Sequence, residues 1–208
     1  MDIIRNIYCV GRNYALHAKE LHNEIPTEPM FFSKPTHAVI EANGQSVMLP
    51  GNRGAVHYET EFVIQIGRPF SKGISVDQLI SNVAVGLDLT LRDVQSQLKE
   101  KRHPWLLAKG FPCSAVLSRF IAFPGIDECR KLDFSMIKNG SVVQRGNIND
   151  MIFDLNTIVT YAAENYGLDE GDIIFTGTPE GVGEILNGDQ FSLLLGNQIL
   201  GNGTFALK

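Results

Sequence analysis

The segment His57-Tyr58-Glu59-Thr60-Glu61-Phe62-Val63-Ile64-Gln65-Ile66-Gly67 carries two carboxylates two positions apart. In a strand such residues share a face, with Cα atoms roughly 6.5–7 Å apart. Two carboxylates so placed repel unless water or a cation neutralises them. The same spacing also suits a solvent-facing edge strand, with Phe62, Ile64 and Ile66 turned to the core. Asp88, in Val83-Ala84-Val85-Gly86-Leu87-Asp88-Leu89-Thr90, adds a third acid at the end of an apolar stretch that reads as a buried strand. An unpaired charge there costs several kcal/mol, so it needs a partner. Glu59, Glu61 and Asp88 together would make an all-oxygen site suited to Mg²⁺ or Mn²⁺. Three monodentate carboxylates leave about three of six octahedral positions for water and substrate, which is a catalytic rather than a closed arrangement.

Three further groups carry possible chemistry. In Gly11-Arg12-Asn13-Tyr14-Ala15-Leu16-His17-Ala18-Lys19-Glu20, His17 and Glu20 are i and i+3, neighbours on one helical face. A Glu that holds the imidazole tautomer prepares a His general base, although a surface His–Glu contact has the same spacing. Arg12 could hold a carboxylate bidentately or sit on the surface. Arg92 and Gln95, also i and i+3, follow the strand bearing Asp88 and would face the same site. Lys109 follows Trp105-Leu106-Leu107-Ala108, where desolvation could lower its pKa, or its stem could snorkel to the surface. In Phe175-Thr176-Gly177-Thr178-Pro179-Glu180-Gly181-Val182-Gly183 the backbone amides and hydroxyls could form a small anion-binding nest.

The elements that must position these groups follow from local signals. Strands are expected near Glu59–Ile66, Val83–Leu89 and Asp172–Phe175. Asn43-Gly44 and Asn139-Gly140 read as hairpin turns, since a type I′ turn needs positive φ at both central residues. The first would join Ala38–Glu41 to Ser46–Leu49, the second Leu132–Ile137 to Val142–Arg145. Gly196-Asn197 suggests a third hairpin. Helices are expected at Tyr14–Leu21, at Arg92–Lys101 with Thr90 as N-cap, and at Leu155–Tyr166. Asp154 would cap the last and Gly167 end it. The sum is an α+β, β-dominated chain rather than alternating βαβ units.

Composition narrows the function classes. Eighteen basic against twenty-three acidic residues give a formal charge of −5, with a pI near 5.5. No basic patch is visible to neutralise phosphates, which argues against a nucleic-acid partner. No apolar run approaches the roughly 20 residues needed to cross a bilayer. Met1-Asp2-Ile3-Ile4-Arg5-Asn6 lacks signal-peptide blocks, so a cytoplasmic protein is expected. Cys9, Cys113 and Cys129 show no metal or disulfide spacing, and Cys9 and Cys113 read as small core residues.

Six collinear segments resemble the fumarylacetoacetate hydrolase family, closest to its short acylpyruvate hydrolase/oxaloacetate decarboxylase-like branch. They are Gly11-Arg12-Asn13-Tyr14 with His17 and Glu20, Lys34-Pro35, Glu59-x-Glu61, and Leu87-Asp88 with Arg92-Asp93-Val94-Gln95. Pro104-Trp105 with Lys109, and Thr176-Gly177-Thr178-Pro179-x-Gly181-Val182-Gly183, complete the set. The resemblance implies a fumarylacetoacetate-hydrolase-like mixed β-roll with flanking helices, one catalytic domain over 1–208, and a homodimer. It implies Glu59, Glu61 and Asp88 as ligands of Mg²⁺ or Mn²⁺, and His17 and Glu20 as a water-activating dyad on a lid helix at about 14–21. Lys109 and Gln95 would polarise a small 2-oxo or 2,4-dioxo acid, with Arg12, Arg92 and Thr178 around it.

The activity expected on that basis is C–C cleavage of an acylpyruvate to pyruvate and a carboxylic acid through a metal-bound enolate. Oxaloacetate decarboxylation and keto-acid isomerisation or tautomerisation would use the same site. A binding protein that has lost turnover would keep its ligand when Glu59 is replaced by Ala; an enzyme would lose its activity. The lid is short and remote in sequence from the acidic strands, so His17 is expected to lie away from them until a substrate orders it.

Overall fold

The structure, a computed structural model, describes residues 4–20 and 24–208, and mixed sheets rather than helices organise them. The chain runs β1 (Ile7–Gly11), α1 (Ala15–Glu20), β2 (Met30–Lys34), β3 (Val39–Glu41), β4 (Asn43–Leu49), β5 (Val56–Tyr58) and β6 (Thr60–Ile66). Then come α2 (Val76–Leu79), β7 (Ile80–Asp88), β8 (Thr90–Leu91), α3 (Arg92–Glu100), α4 (Leu106–Lys109), β9 (Ala115–Leu117), β10 (Ile121–Ala122) and α5 (Ile126–Cys129). The last third holds β11 (Phe134–Lys138), β12 (Ser141–Gly146), α6 (Leu155–Tyr166), β13 (Ile173–Phe175), β14 (Gly183–Glu184), β15 (Gln190–Leu195) and β16 (Gln198–Leu207). The fold is α+β and β-dominated.

An eight-stranded sheet has the order β2-β1-β13-β6-β7-β9-β3, with β10 also on β7. A five-stranded sheet, β12-β11-β15-β16-β4, packs against it, and a three-stranded sheet, β14-β5-β8, flanks both. β6 lies inside the large sheet, antiparallel to both β13 and β7, so the edge-strand alternative for Glu59–Glu61 does not hold. Both faces of β6 are covered. Phe62, Ile64 and Ile66 enter the main core with Phe134 and Phe205. Val63 packs on the opposite face with Cys9, Ala84 and Phe175.

Several local expectations hold for their stated reasons. Asn139 and Gly140 take φ of 51° and 83° and join β11 to β12. Gly196, at φ 57°, turns β15 into β16. The Asp154 carboxylate accepts the Thr157 N–H at 2.8 Å, capping α6. The Asn43-Gly44 hairpin is absent. β3 pairs in parallel with β9, and β4 pairs in parallel with β16 in the other sheet. Only Gly44 is left-handed, at 93°, so the pair marks a crossing between sheets. Thr90 is not an N-cap either. It belongs to β8, Leu91 precedes α3 without a side-chain cap, and the Arg92 N–H bonds to the Ala55 carbonyl. Cys9 and Cys129 are buried as small core residues, while Cys113 is half-buried at φ 64°. The expected lid helix begins one residue late, at Ala15. Its proposed last residue, Leu21, and the initial Met1–Ile3 lie outside the described residues.

Asp189 ties the β11–β12 turn to β15. Its carboxylate accepts from Asn139 Nδ2 at 2.7 Å and from the Leu186 N–H at 2.9 Å, and it pairs with Lys138 at 3.2 Å. Burial raises its pKa, but those donors outweigh it and the net shift is downward. A lowered folded pKa gives stability that is present above the unfolded carboxylate's pKa and is lost as pH falls through the folded value. Asp189→Asn is therefore expected to lower stability by about 1 kcal/mol at pH 7. In urea midpoints followed downward in pH, that difference should shrink through the aspartate range; a gap independent of pH would refute it.

Candidate active site

β6 and β7 bring the three acids together. Thr60 pairs with Leu87 and Glu61 with Gly86, and the Asp88 N–H bonds to the Glu59 carbonyl at 2.8 Å. Glu59 and Asp88 therefore sit at the end of one antiparallel pair, with Glu61 one step inside on the same face as Glu59. The three are 6%, 2% and 1% exposed, far drier than three acids tolerate without compensation. One carboxylate oxygen from each lies within 4.8 Å of the others.

Cations surround two of the three. Lys109 Nζ donates to Glu59 Oε2 at 2.7 Å and to Asp88 Oδ2 at 2.6 Å. Arg92 Nη2 donates to Glu59 Oε1 at 2.7 Å and Nη1 to Gln95 Oε1 at 2.8 Å. Lys34, fully buried, donates to the carbonyls of Leu89 and Lys109. Its Nζ stands 2.6 Å from Asp88 Oδ1 in a pairing that misses hydrogen-bond geometry, so Oδ1 is close to a cation yet accepts no hydrogen bond. Glu61 touches no cation among the described residues; its Oε2 accepts the Gly177 N–H at 2.7 Å.

The titration behaviour follows. Burial raises Glu61, and the charges of Asp88 and Glu59 raise it further, against the Gly177 bond and the more distant charge of Lys109. Burial would raise Glu59 too, but Lys109 and Arg92 reverse the sign and hold it far below the usual range. Neither alternative for Lys109 holds: it is buried rather than snorkelling, and its pKa is not lowered. Desolvation pulls it down, yet Asp88 and Glu59 more than offset that, so its pKa is raised.

These residues fit a divalent cation on the chemistry of the donor set. Three hard carboxylate donors converge, and among the described residues Glu61 forms no ion pair. Lys109 is a monovalent counter-ion for two of the three. A dication there would satisfy all three at once.

The 176–183 loop does bind anions, but they are the protein's own. The Gly177 N–H holds Glu61, and the Gly181 N–H holds Glu20 Oε1 at 3.1 Å. Gly177 has φ 104°, and a Cβ there would lie 2.7 Å from Asn13 Cβ, so the position requires glycine. The Thr178 hydroxyl donates to the Thr60 carbonyl at 2.9 Å and accepts from Gln144 Nε2 at 2.9 Å. Its proton is thus committed to the fold, although the residue lines the cleft.

α1 is seated over the cleft. His17 is buried and lines it beside the acids, with Nδ1 3.2 Å from Glu20 Oε2. The expected arrangement, with His17 standing away from the acidic strands, is not what the structure describes. Asn13 explains the closure. Its Nδ2 donates to the carbonyls of Phe153 (3.1 Å) and Thr176 (2.8 Å), and its Oδ1 accepts the Phe153 N–H at 2.8 Å. Arg12, Arg92 and Gln95 line the same cleft. Asn13 and Lys34 were within recognised motifs yet had no role assigned from sequence. A lysine two residues from a β-strand aromatic pair gives no sign that an aspartate 54 positions later will need it.

Added Mg²⁺ or Mn²⁺ is expected to raise the melting temperature, because a ligand that binds only the folded chain stabilises it. Glu61→Gln, which keeps the shape and the Gly177 bond, should abolish most of that rise. An equal rise in the variant would exclude Glu61 as a ligand.

Residues 6–203 match the family described as fumarylacetoacetate (FAA) hydrolase C-terminal. The chain is 39% identical over 189 residues to the mitochondrial oxaloacetate decarboxylase of Dictyostelium discoideum, covering 88% of this chain and 85% of the relative. It is 37% identical over 195 residues to the oxaloacetate tautomerase YcgM of Escherichia coli, covering 91% and 88%. Among solved structures it resembles a fumarylpyruvate hydrolase from Pseudomonas aeruginosa in complex with Mn²⁺ and pyruvate. That match has a TM-score of 0.89 and 32% identity, and covers 99% of this chain and 91% of the other. With the buried acidic triad, the flanking cations and the β-dominated sheets all present, this chain belongs to the fumarylacetoacetate hydrolase family.

Proposed function

We propose that the chain acts on oxaloacetate or a closely similar 2-oxo acid by way of its enolate, interconverting keto and enol forms or releasing CO₂, with Mg²⁺ or Mn²⁺ as cofactor. The observation that carries this reading is the acidic triad in one cleft with Arg92, Gln95, Lys109 and a buried histidine. The named activities of the relatives above favour oxaloacetate over an acylpyruvate, which the motifs alone put first. Glu59, Glu61 and Asp88 would hold the cation, which would supply Lewis acidity to a 2-oxo acid bound beside it.

The chain's own groups do the rest. Lys109 provides positive charge beside the oxygen that becomes enolate, and Gln95 offers its amide donors to the substrate. Arg92, locked between Glu59 and Gln95, fixes the geometry of both. The Glu20 carboxylate on Nδ1 sets the His17 tautomer and leaves Nε2 basic. For tautomerisation, His17 takes a proton from C3 and gives that proton up to the oxygen at C2, which restores the free imidazole; the reverse returns the keto form. For decarboxylation the C3–C4 bond breaks, CO₂ leaves, its bonding pair forms the enolate, and C3 then takes a proton to give pyruvate.

Hydrolysis of an acylpyruvate is the second reading, favoured by the His17–Glu20 pair. His17 would take a proton from water as it adds to the C4 carbonyl, with Lys109 beside the oxyanion. Collapse would yield a carboxylic acid and, after protonation at C3, pyruvate.

Decay of the oxaloacetate enol absorbance, pyruvate release from oxaloacetate, and loss of acetylpyruvate absorbance, each with Mg²⁺, separate these readings. Oxaloacetate is expected to react well above a blank of metal alone, with EDTA or Glu59→Ala costing at least about 100-fold. His17→Ala should abolish any acetylpyruvate cleavage. No reaction of oxaloacetate above the metal blank would overturn the proposal.

A further inference from the structure

α3 carries Arg92, Gln95 and Lys99 at spacings of three and four, one face of a helix. The inner end of this row is anchored, since Arg92 is bonded to Glu59 and Gln95. Its outer end, Lys99, is exposed, with Nζ 5.3 Å from the centroid of the Trp105 ring. Lys99 lines the same cleft as the acidic triad, and Arg12 lines it too.

Among the described residues neither Lys99 nor Arg12 pairs with a carboxylate. They also press on each other: burial of the stem, then Arg92 and Arg12, push the Lys99 pKa down. Arg12 is held at φ 57°, a left-handed conformation that non-glycine residues occupy only when their surroundings enforce it. The Asn13 clamp next to it does so. The cleft therefore has acids at its floor and unpaired cations at its rim. Gln95 and Lys99 are one helical turn apart, about 6 Å along the axis, a span that a four-carbon chain with an acid at each end can bridge.

We propose that Lys99, with Arg12, forms a distal anion subsite that takes the second carboxylate of a four-carbon 2-oxo diacid and so selects diacids over monocarboxylic acids. The proposal rests on the keto-acid reading above and gives its substrate class a cause. Lys99 is a specificity residue: it meets the non-reacting end of the substrate and leaves the chemistry to the floor of the cleft.

Malate and lactate share a 2-hydroxy acid end and differ by one distal carboxylate, and neither reacts by C–C cleavage. In titration calorimetry of the Mg²⁺-loaded protein, malate is expected to bind about tenfold tighter than lactate. Lys99→Met keeps the apolar stem against Trp105 and should erase most of that preference; Lys99→Arg should keep it. Equal affinities in the unsubstituted protein, or a malate preference untouched by Lys99→Met, would overturn the subsite. The two proposals fail separately. A Lys99-dependent malate preference without oxaloacetate turnover would leave the subsite and remove the activity, whereas turnover with an indifferent Lys99→Met would do the reverse.

Discussion

Three carboxylates drawn into one dry pocket govern the architecture around them. Glu59, Glu61 and Asp88 are nearly removed from water and close enough that their charges oppose one another. Bringing each into the interior costs several kcal/mol unless countercharge is built in. Lys109, Lys34 and Arg92 supply it from three separate elements, α4, β2 and α3. The compensation is uneven. Glu59 and Asp88 are paired, and Glu61 relies on one backbone N–H. That unevenness leaves a place for a dication.

The surrounding elements serve this pocket in a definite division of labour. β6 and β7 hold the acids by register, because an antiparallel pair places Asp88 against Glu59 whatever their side chains prefer. The 176–183 loop reaches both the triad and α1, through Gly177 to Glu61 and Gly181 to Glu20. One turn of chain thus connects the floor of the cleft to its cover. Asn13 fastens the start of that cover to Phe153 and Thr176, with its amide using three of four possible bonds. This polar clamp and Tyr14, which packs in the main core against Phe134, together seat α1.

On the reading proposed above, the floor of the cleft would suit 2-oxo acids in general and the rim would select among them. A bound dication and the nearby Lys109 ammonium would stabilise an enolate regardless of what lies beyond C3. The fates of that enolate, protonation, loss of CO₂ or release after hydrolysis, differ by small changes in what occupies the outer cleft. This is consistent with relatives of similar identity carrying decarboxylase, tautomerase and hydrolase names. Rim residues such as Arg12 and Lys99 are where such relatives can differ without disturbing the triad.

The amino-acid order alone was enough for several features that depend on near neighbours, although not for Thr90, which reads as an N-cap and lies in β8. The period-2 spacing of Glu59 and Glu61, the i, i+3 pairs His17–Glu20 and Arg92–Gln95, the Asp154 cap and the Asn139-Gly140 turn are local, and each appears as spacing implies. What depended on distant partners was out of reach. Asn43-Gly44 looked like a hairpin because turn chemistry is local, while the parallel partners β9 and β16 that pull its flanks into different sheets lie far along the chain. The Lys109 shift has a sign that sequence neighbours do not reveal, for the same cause: those neighbours are apolar and suggest desolvation, whereas its neighbours in space are Glu59 and Asp88. Lys34 had no visible role until folding set it beside Asp88. Spacing specifies which groups can share a face; only the packed sheet brings opposite charges 21 and 50 residues apart within 3 Å, and there the two carboxylates reverse the direction in which burial alone would move Lys109.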